Sequence, residues 1–295
     1  MHALCHIRCI KATKVEFPIP NVTLTGLGGA QQTAIAAAFR AAGWTVTGTS
    51  RTAGPGLHAA NLETGAGLDA AFDSADLVVF TLPQDHTPGR SLRMAQAVAK
   101  AARHTPRVIL NPAGRIESSS AEIFVGMRAI RDTMSSLALV TLEPTVYMDN
   151  LMAAWSLPAI LSGTFAYPAP PEVATSWISH RTLAEAVVAA ATAPVLGQSI
   201  RIGGPAAITG IEMAAMLSLH LNRPITYAQI PLPDFAAGLN AAFGAPAGDR
   251  IAELYAHLAA HPDAMTDGAE GLARLGVTGE SFADFIARQR WTMDA

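Results

Sequence analysis

The feature that most constrains this chain is a change of hydrophobic period that repeats along it. Between Val22 and Tyr147, short and nearly continuous apolar runs alternate with stretches whose apolar residues recur three or four positions apart. The short runs, "VTLTG", "WTVTGTSR", "GLHAANL", "DLVVFTLP", "RVILNPA" and "LALVTLEPTVY", read as strands. The stretches between them read as amphipathic helices; in the first, Ile35 and Phe39 lie four apart and Gly43 is the stop. Strands that are apolar on both faces belong to a parallel sheet covered on both sides. Strand and helix in regular alternation therefore predict an α/β fold with a doubly wound parallel sheet.

After Tyr147 the pattern changes. The uncharged run from Asn150 to Pro171 is long enough to cross a bilayer. Pro158, Gly163, Pro168, Pro170 and Pro171 interrupt it, so a pocket wall is expected there rather than a membrane helix. A helix ("WISHRTLAEAVVAAATAP"), a strand ("QSIRIGGP"), a helix capped by Thr209, a strand ("ITYAQIPLP") and a mostly helical remainder follow. The expected organisation is an N-terminal extension (1–20), a nucleotide-binding domain (21–150) and a smaller, mostly helical C-terminal lobe (151–295), intertwined as one unit.

Composition narrows the function classes. Half of the 295 residues are hydrophobic, 15% are charged, and the formal net charge is −3. Such a chain can bury a large core and offers no basic face for nucleic acid. The only cysteines, Cys5 and Cys9, sit near His2 and His6 in "HALCHIRC". That cluster reads as part of the extension; no metal site and no disulfide framework are expected. The charged "KATKVEF" follows too soon for a secretory signal, so a cytoplasmic protein is expected, with a small-molecule substrate and no membrane partner. A homodimer is left open.

The first strand runs into "TGLGGAQQT". A phosphate-binding turn needs one glycine for the sharp turn, one for close approach of the pyrophosphate and a third for helix–strand packing. Gly26, Gly28 and Gly29 cover the first two needs, while Gln32 takes the packing position and is expected to set the helix further from the sheet. The amides of Gly29, Ala30 and Gln31 are placed to meet a pyrophosphate at the helix N-terminus. At the tip of the second strand, where a carboxylate would select NAD(H), stand Ser50 and Arg51. Both can bind a 2′-phosphate, which points to a Rossmann domain for NADP(H).

These residues resemble the opening of the NmrA-like family, the atypical short-chain dehydrogenases. Four further stretches agree in order: "AANLETGAGLDAAFDSADLVVFTLP", "LEPTVYMDNL", "WISHRTLAEAVVAAATAP" and "IRIGGPAAITGIEMAAMLSLHLNRPITY". The resemblance covers roughly residues 21–290. It implies a Rossmann fold with NADP(H) at the strand ends and a substrate cleft between two lobes. It implies Asn61 and Leu62 by the adenine, Thr81, Leu82 and Pro83 along the adenosine ribose, and Leu110 and Asn111 by the nicotinamide ribose. Pro144, Thr145 and Val146 would back the nicotinamide. The chain departs from the family at Gln32, where glycine is usual, at Glu143, where arginine is usual, and at Met127, where a lysine is frequent.

Ordinary short-chain dehydrogenases pair a tyrosine with a lysine four residues later, which lowers the tyrosine's pKa. The lysines here are Lys11, Lys14 and Lys100, and none follows Tyr147, Tyr167, Tyr227 or Tyr255 at that spacing. Two readings fit. One is an NADPH-dependent reductase of a small apolar or aromatic acceptor, a quinone, iminium or activated carbonyl, that needs positioning more than acid catalysis. The other is a non-catalytic NADP(H)-sensing regulator of the NmrA type.

Tyr147 and His86, in "PQDHTPG", are the catalytic candidates, each a proton or hydrogen-bond donor. Met127, Met148, Asn150 and Trp155 are the substrate-side candidates, with Met152 and Phe165 beside them; the alternative for the apolar ones is the core of the lobe. Glu143 is expected to pair with an arginine, His180 to start a helix, and Ser118–Ser120 to cap a helix or orient a carbonyl.

Overall fold

The structure, a computed structural model, describes residues 19–83, 87–292. His86 and the Cys5/Cys9 extension up to residue 18 lie outside the described residues. The strands are β1 (Asn21–Leu24), β2 (Thr45–Ser50), β3 (Leu57–Ala59), β4 (Leu77–Thr81), β5 (Val108–Asn111), β6 (Leu139–Pro144), β7 (Thr164–Tyr167), β8 (Ser199–Ile202) and β9 (Thr226–Gln229). The helices are α1 (Ala30–Ala41), α2 (Leu68–Phe72), α3 (Arg90–Ala101), α4 (Glu122–Thr133), α5 (Leu157–Leu161), α6 (His180–Ala190), α7 (Gly210–Leu221), α8 (Leu232–Phe243), α9 (Ala247–Ala260), α10 (Gly268–Arg274) and α11 (Phe282–Arg288).

Seven strands form one parallel sheet in the order β3-β2-β1-β4-β5-β6-β8, and β7 pairs with β9 in a second, two-stranded sheet. Val22, Leu24, Val78, Val79, Ile109 and Leu110 are fully buried, as strands covered on both faces require. On one face α1 packs Ile35, Ala36 and Phe39 against Leu183, Ala186 and Val187 of α6. Fully burying side chains such as Ile35 or Phe39 contributes about 1.5–3 kcal/mol each. On the other face α2, α3 and α4 cover β4 and β5 through Leu68, Met94, Val98 and Ile130. The doubly wound α/β architecture is thus the one the alternation predicts.

The region beyond residue 150 is built into that sheet as well as onto it. β8 pairs with β6 in the register Glu143↔Arg201, and α6 shares a core with α1. Strand β6 would otherwise be an open edge of the sheet, and β8 covers it. The remaining helices enclose a second core with Phe165, Tyr167, Trp177, Leu217 and Phe285. The Pro-broken run holds a 3-10 turn (Met148–Met152), α5 and β7. No helix among the described residues is long and apolar enough to cross a membrane. Thr209 closes a capping box on α7: its hydroxyl accepts from Glu212 N–H at 3.2 Å, and Glu212 accepts from Thr209 N–H at 2.7 Å.

Candidate cofactor and substrate cleft

The helices after β1 and β4 leave the sheet toward opposite faces, so a crevice opens at the C-terminal ends of these two strands. The glycine turn sits at its mouth. Gly26 has φ +65° and Gly28 φ +140°, backbone states that L side chains rarely adopt. Gly29 has an ordinary φ of −74° and N-caps α1 with no side-chain cap. A Cβ added at Gly26, Gly28 or Gly29 would meet nothing within 4 Å. The chain thus leaves open space in front of the uncapped amides of Gly29, Ala30 and Gln31. That is the arrangement a pyrophosphate fits, electrostatically and sterically.

Gln32 fills the packing position, where its side-chain amide, 3% exposed, donates to Thr25 O at 2.8 Å. Gln31 acts through its side chain too, a role the sequence did not indicate. Its Oε1 accepts from Asn111 Nδ2 at 2.8 Å and from the Tyr147 hydroxyl at 3.4 Å. Asn111, at the end of β5, is fully buried, and its Oδ1 accepts from Ala113 N–H at 2.9 Å. Its Nδ2 also reaches Thr81 Oγ1 at 3.4 Å. The structure thus brings together Gln31, Thr81, Asn111 and Tyr147, drawn from four separate elements.

Ser50 ends β2, and Arg51 beside it is exposed with no ion pair among the described residues. Asn61 stabilises its own loop, its Oδ1 accepting from the amides of Glu63 and Thr64 at 2.9 and 3.1 Å. Leu62 packs against the α2–α4 core. Glu63 anchors the loop to α3 by accepting from Arg93 Nη2 and Arg90 Nε, both at 2.8 Å. The Arg93 hydrogen bond chiefly holds the Glu63 carboxyl below its usual range.

Just past the ends of β4, β5 and β6 lies a cavity of about 270 Å³. Leu82, Pro83, Pro144, Val146 and Tyr147 line it, as do Met127, Asn150 and Trp155. Met148 does not line it: it is 2% exposed and belongs to the core of the C-terminal lobe, as does Phe165. Burial pushes the Tyr147 hydroxyl well above the usual tyrosine value, only partly opposed by Asn111 and Gln31, so it stays neutral. Tyr147 is thus an uncharged hydrogen-bond donor engaged with Gln31. His180 starts α6, where its backbone N–H donates to Asp149 Oδ2 at 2.8 Å and its ring meets Tyr147 edge-on at 5.2 Å. Ser118–Ser120 stay outside the cavity lining; Ser119 Oγ accepts from Ala121 N–H at 3.2 Å.

Glu143 is 3% exposed and accepts from Ile116 N–H at 3.1 Å. Arg115 and Arg201 supply its positive surroundings. Arg115 itself is fully buried and bonds to Asp267 at 2.6 Å, while its Nε and Nη1 have no partner. This buried arginine lines the cavity, and nothing in the sequence marked it. Two tyrosines escaped notice as well: Tyr167 and Tyr255 line the cavity with their hydroxyls 2.7 Å apart. Among the described residues, no three His, Cys, Asp or Glu side chains converge on a point that could hold a metal.

No protein-family model matches the chain. An NAD(P)H azoreductase from Xenophilus azovorans is 28% identical over 244 residues, spanning 78% of this chain and 83% of that protein. Solved structures share the fold across the whole described body. Triphenylmethane reductase from Citrobacter sp., complexed with NADP(H), superposes with a TM-score of 0.75 at 14% identity, covering 91% of this chain and 99% of that one. The NADPH-dependent quinone oxidoreductase from Escherichia coli, complexed with NADPH, gives 0.73 at 16% identity over 90% and 98%. NmrA, a negative transcriptional regulator in complex with NAD, gives 0.71 at 12% identity over 92% and 95%. In fold, this chain is similar to these two reductases and to NmrA, each at under 25% identity.

Proposed function

We propose that this chain is an NADPH-dependent reductase of a small apolar or aromatic acceptor, working without a Tyr-x-x-x-Lys pair. The observation that carries the reading is an open glycine turn and an apolar cavity at the ends of the same sheet, joined by Tyr147, which lines the cavity and donates to Gln31. The names of similar proteins support it: an NAD(P)H azoreductase, an NADPH-dependent quinone oxidoreductase and a triphenylmethane reductase.

In this reading residues 21–150 hold the cofactor and 151–295 close over the acceptor, tied together by β8 and α6. Gly26, Gly28, Gly29, Ala30 and Gln31 cradle the pyrophosphate. Ser50 and Arg51 take the 2′-phosphate, with Asn61 and Leu62 by the adenine and Thr81, Leu82 and Pro83 along its ribose. Asn111 lies by the nicotinamide ribose, and Pro144 and Val146 wall the nicotinamide. NADPH, when bound, supplies the hydride. The protein supplies position and exclusion of water: Met127, Asn150 and Trp155 confine the acceptor, and Tyr147 holds Gln31 and through it Asn111. No ionised side chain is needed beside an acceptor that is itself a strong electron sink.

The test is loss of NADPH absorbance on mixing with quinones, azo compounds and triarylmethane cations. Turnover of any of these supports the reductase. Tight NADPH binding without turnover supports a redox-sensing regulator instead, and no NADPH binding overturns both.

A further inference from the structure

Asn150, Tyr167 and Tyr255 all line the cavity, and they form one hydrogen-bonded chain. Asn150 presents its amide nitrogen to the Tyr167 hydroxyl at 3.4 Å, and that hydroxyl lies 2.7 Å from the hydroxyl of Tyr255. Both tyrosines are buried, at 2% and 4% exposure. Neither hydroxyl has another partner among the described residues. Tyr227, the neighbouring tyrosine, differs: its hydroxyl donates to the backbone oxygen of Ala169.

The hydrogens in this chain can be counted. Each tyrosine hydroxyl has one hydrogen, and the Asn150 amide donates into Tyr167. If Tyr167 donates to Tyr255, the Tyr255 hydrogen has no acceptor. If Tyr255 donates to Tyr167, the Tyr167 hydrogen has none. With the Asn150 amide nitrogen toward Tyr167, either arrangement leaves one O–H without a protein acceptor in a buried, largely apolar site, which is costly unless a ligand supplies one. Burial raises the pKa of both hydroxyls, Tyr167 to about 12 and Tyr255 well above its ordinary value, so both keep their hydrogens at neutral pH.

We propose that Asn150, Tyr167 and Tyr255 form a donor subsite for a carbonyl-type oxygen on the apolar ligand that fills this cavity. The proposal builds on the reductase reading and narrows its acceptor class to neutral compounds bearing a ketone or quinone oxygen, at the expense of iminium and carbocation acceptors. A donor at that oxygen also favours the negative charge a carbonyl oxygen gains when its carbon is reduced.

The experiment is calorimetric titration of the full-length protein, without cofactor, using acetophenone and its isostere α-methylstyrene, in which a CH2 replaces the oxygen. The wild type is expected to prefer the ketone by roughly tenfold, the worth of one satisfied hydrogen bond. Either single variant, Tyr167→Phe or Tyr255→Phe, still has a free hydroxyl hydrogen and should keep most of the preference. The double variant has none and should bind both compounds equally. Asn150→Asp supplies a second, independent variant: its carboxylate accepts the spare hydrogen, and the preference should collapse with both tyrosines in place. No preference in the wild type, or one undiminished in both the double variant and Asn150→Asp, overturns the subsite. NADPH titration of the same proteins separates the two ideas. A wild type that binds NADPH but shows no ketone preference removes the subsite alone, and a wild type that shows the preference but does not bind NADPH removes the reductase reading alone.

Discussion

Asn111 donates its side-chain amide to Gln31 at 2.8 Å, joining the end of β5 to the first turn of α1. The same oxygen of Gln31 accepts from Tyr147, which precedes the 3-10 turn just past β6. One amide therefore ties the turn that would carry the pyrophosphate to the strand ends that would carry the nicotinamide. Gln31→Ala leaves two donors without an acceptor and should cost about 1–3 kcal/mol in chemical denaturation. Gln31→Glu keeps an acceptor but adds a negative charge at the helix N-terminus where phosphate would lie. It should retain more stability than Gln31→Ala while weakening NADPH binding, read by fluorescence titration.

Gly29 separates what the fold needs from what a ligand needs. Its φ of −74° suits any residue, and a Cβ there meets nothing within 4 Å. Folding gives no reason for glycine at this position. Gly29→Val should leave the melting temperature nearly unchanged and reduce NADPH affinity at least tenfold, because the added side chain occupies the space in front of the α1 amides. A marked loss of stability with unchanged affinity would show that the open space serves no ligand.

Arg51 makes no ion pair among the described residues, so removing it disturbs no observed contact. Hydrogen bonds to charged groups are worth about 1.5–3 kcal/mol. Arg51→Ala should therefore weaken NADPH binding by on the order of ten- to a hundredfold, leave NADH binding almost untouched and keep the melting temperature. Equal effects on the two cofactors would remove Arg51 from the 2′-phosphate site.

Much of the fold was legible because parallel strands buried on both faces are apolar runs, a signal carried by single segments such as "LVVF" in β4. The glycine turn and the Thr209 cap were legible for the same reason: each is a local requirement on φ or on a helix end. What could not be read depends on distant partners. Nothing in "SIRI" says that β8 pairs with β6, since that choice is made by an edge formed some 60 residues earlier. Tyr167 and Tyr255 are 88 positions apart and meet only in the folded chain. Met148 and Asn150 sit two residues apart on one 3-10 turn, and apolarity alone could not assign Met148 to the core and Asn150 to the cavity. Arg115 carries no local signal of its burial, because its ion-pair partner Asp267 lies 152 positions away.

His180 gives the fold a pH dependence whose sign follows from its burial. Desolvation holds its imidazole below the ordinary value near 6.5; Asp149 opposes this and Arg288 adds to it. As pH falls through about 6.5 the unfolded chain takes up a proton that folded His180 refuses. The unfolded state then binds more protons, so the contribution is fully present above that pH and is lost on acidification until the folded imidazole titrates. His257 is shifted in the same direction, so the wild type alone cannot apportion the effect. His180→Gln keeps the backbone N–H that donates to Asp149 but removes the titrating ring. Denaturation at about pH 7.5 and about pH 5.5 should show a smaller loss of stability on acidification in His180→Gln than in the wild type. Parallel losses in the two proteins would assign the acid sensitivity to other groups.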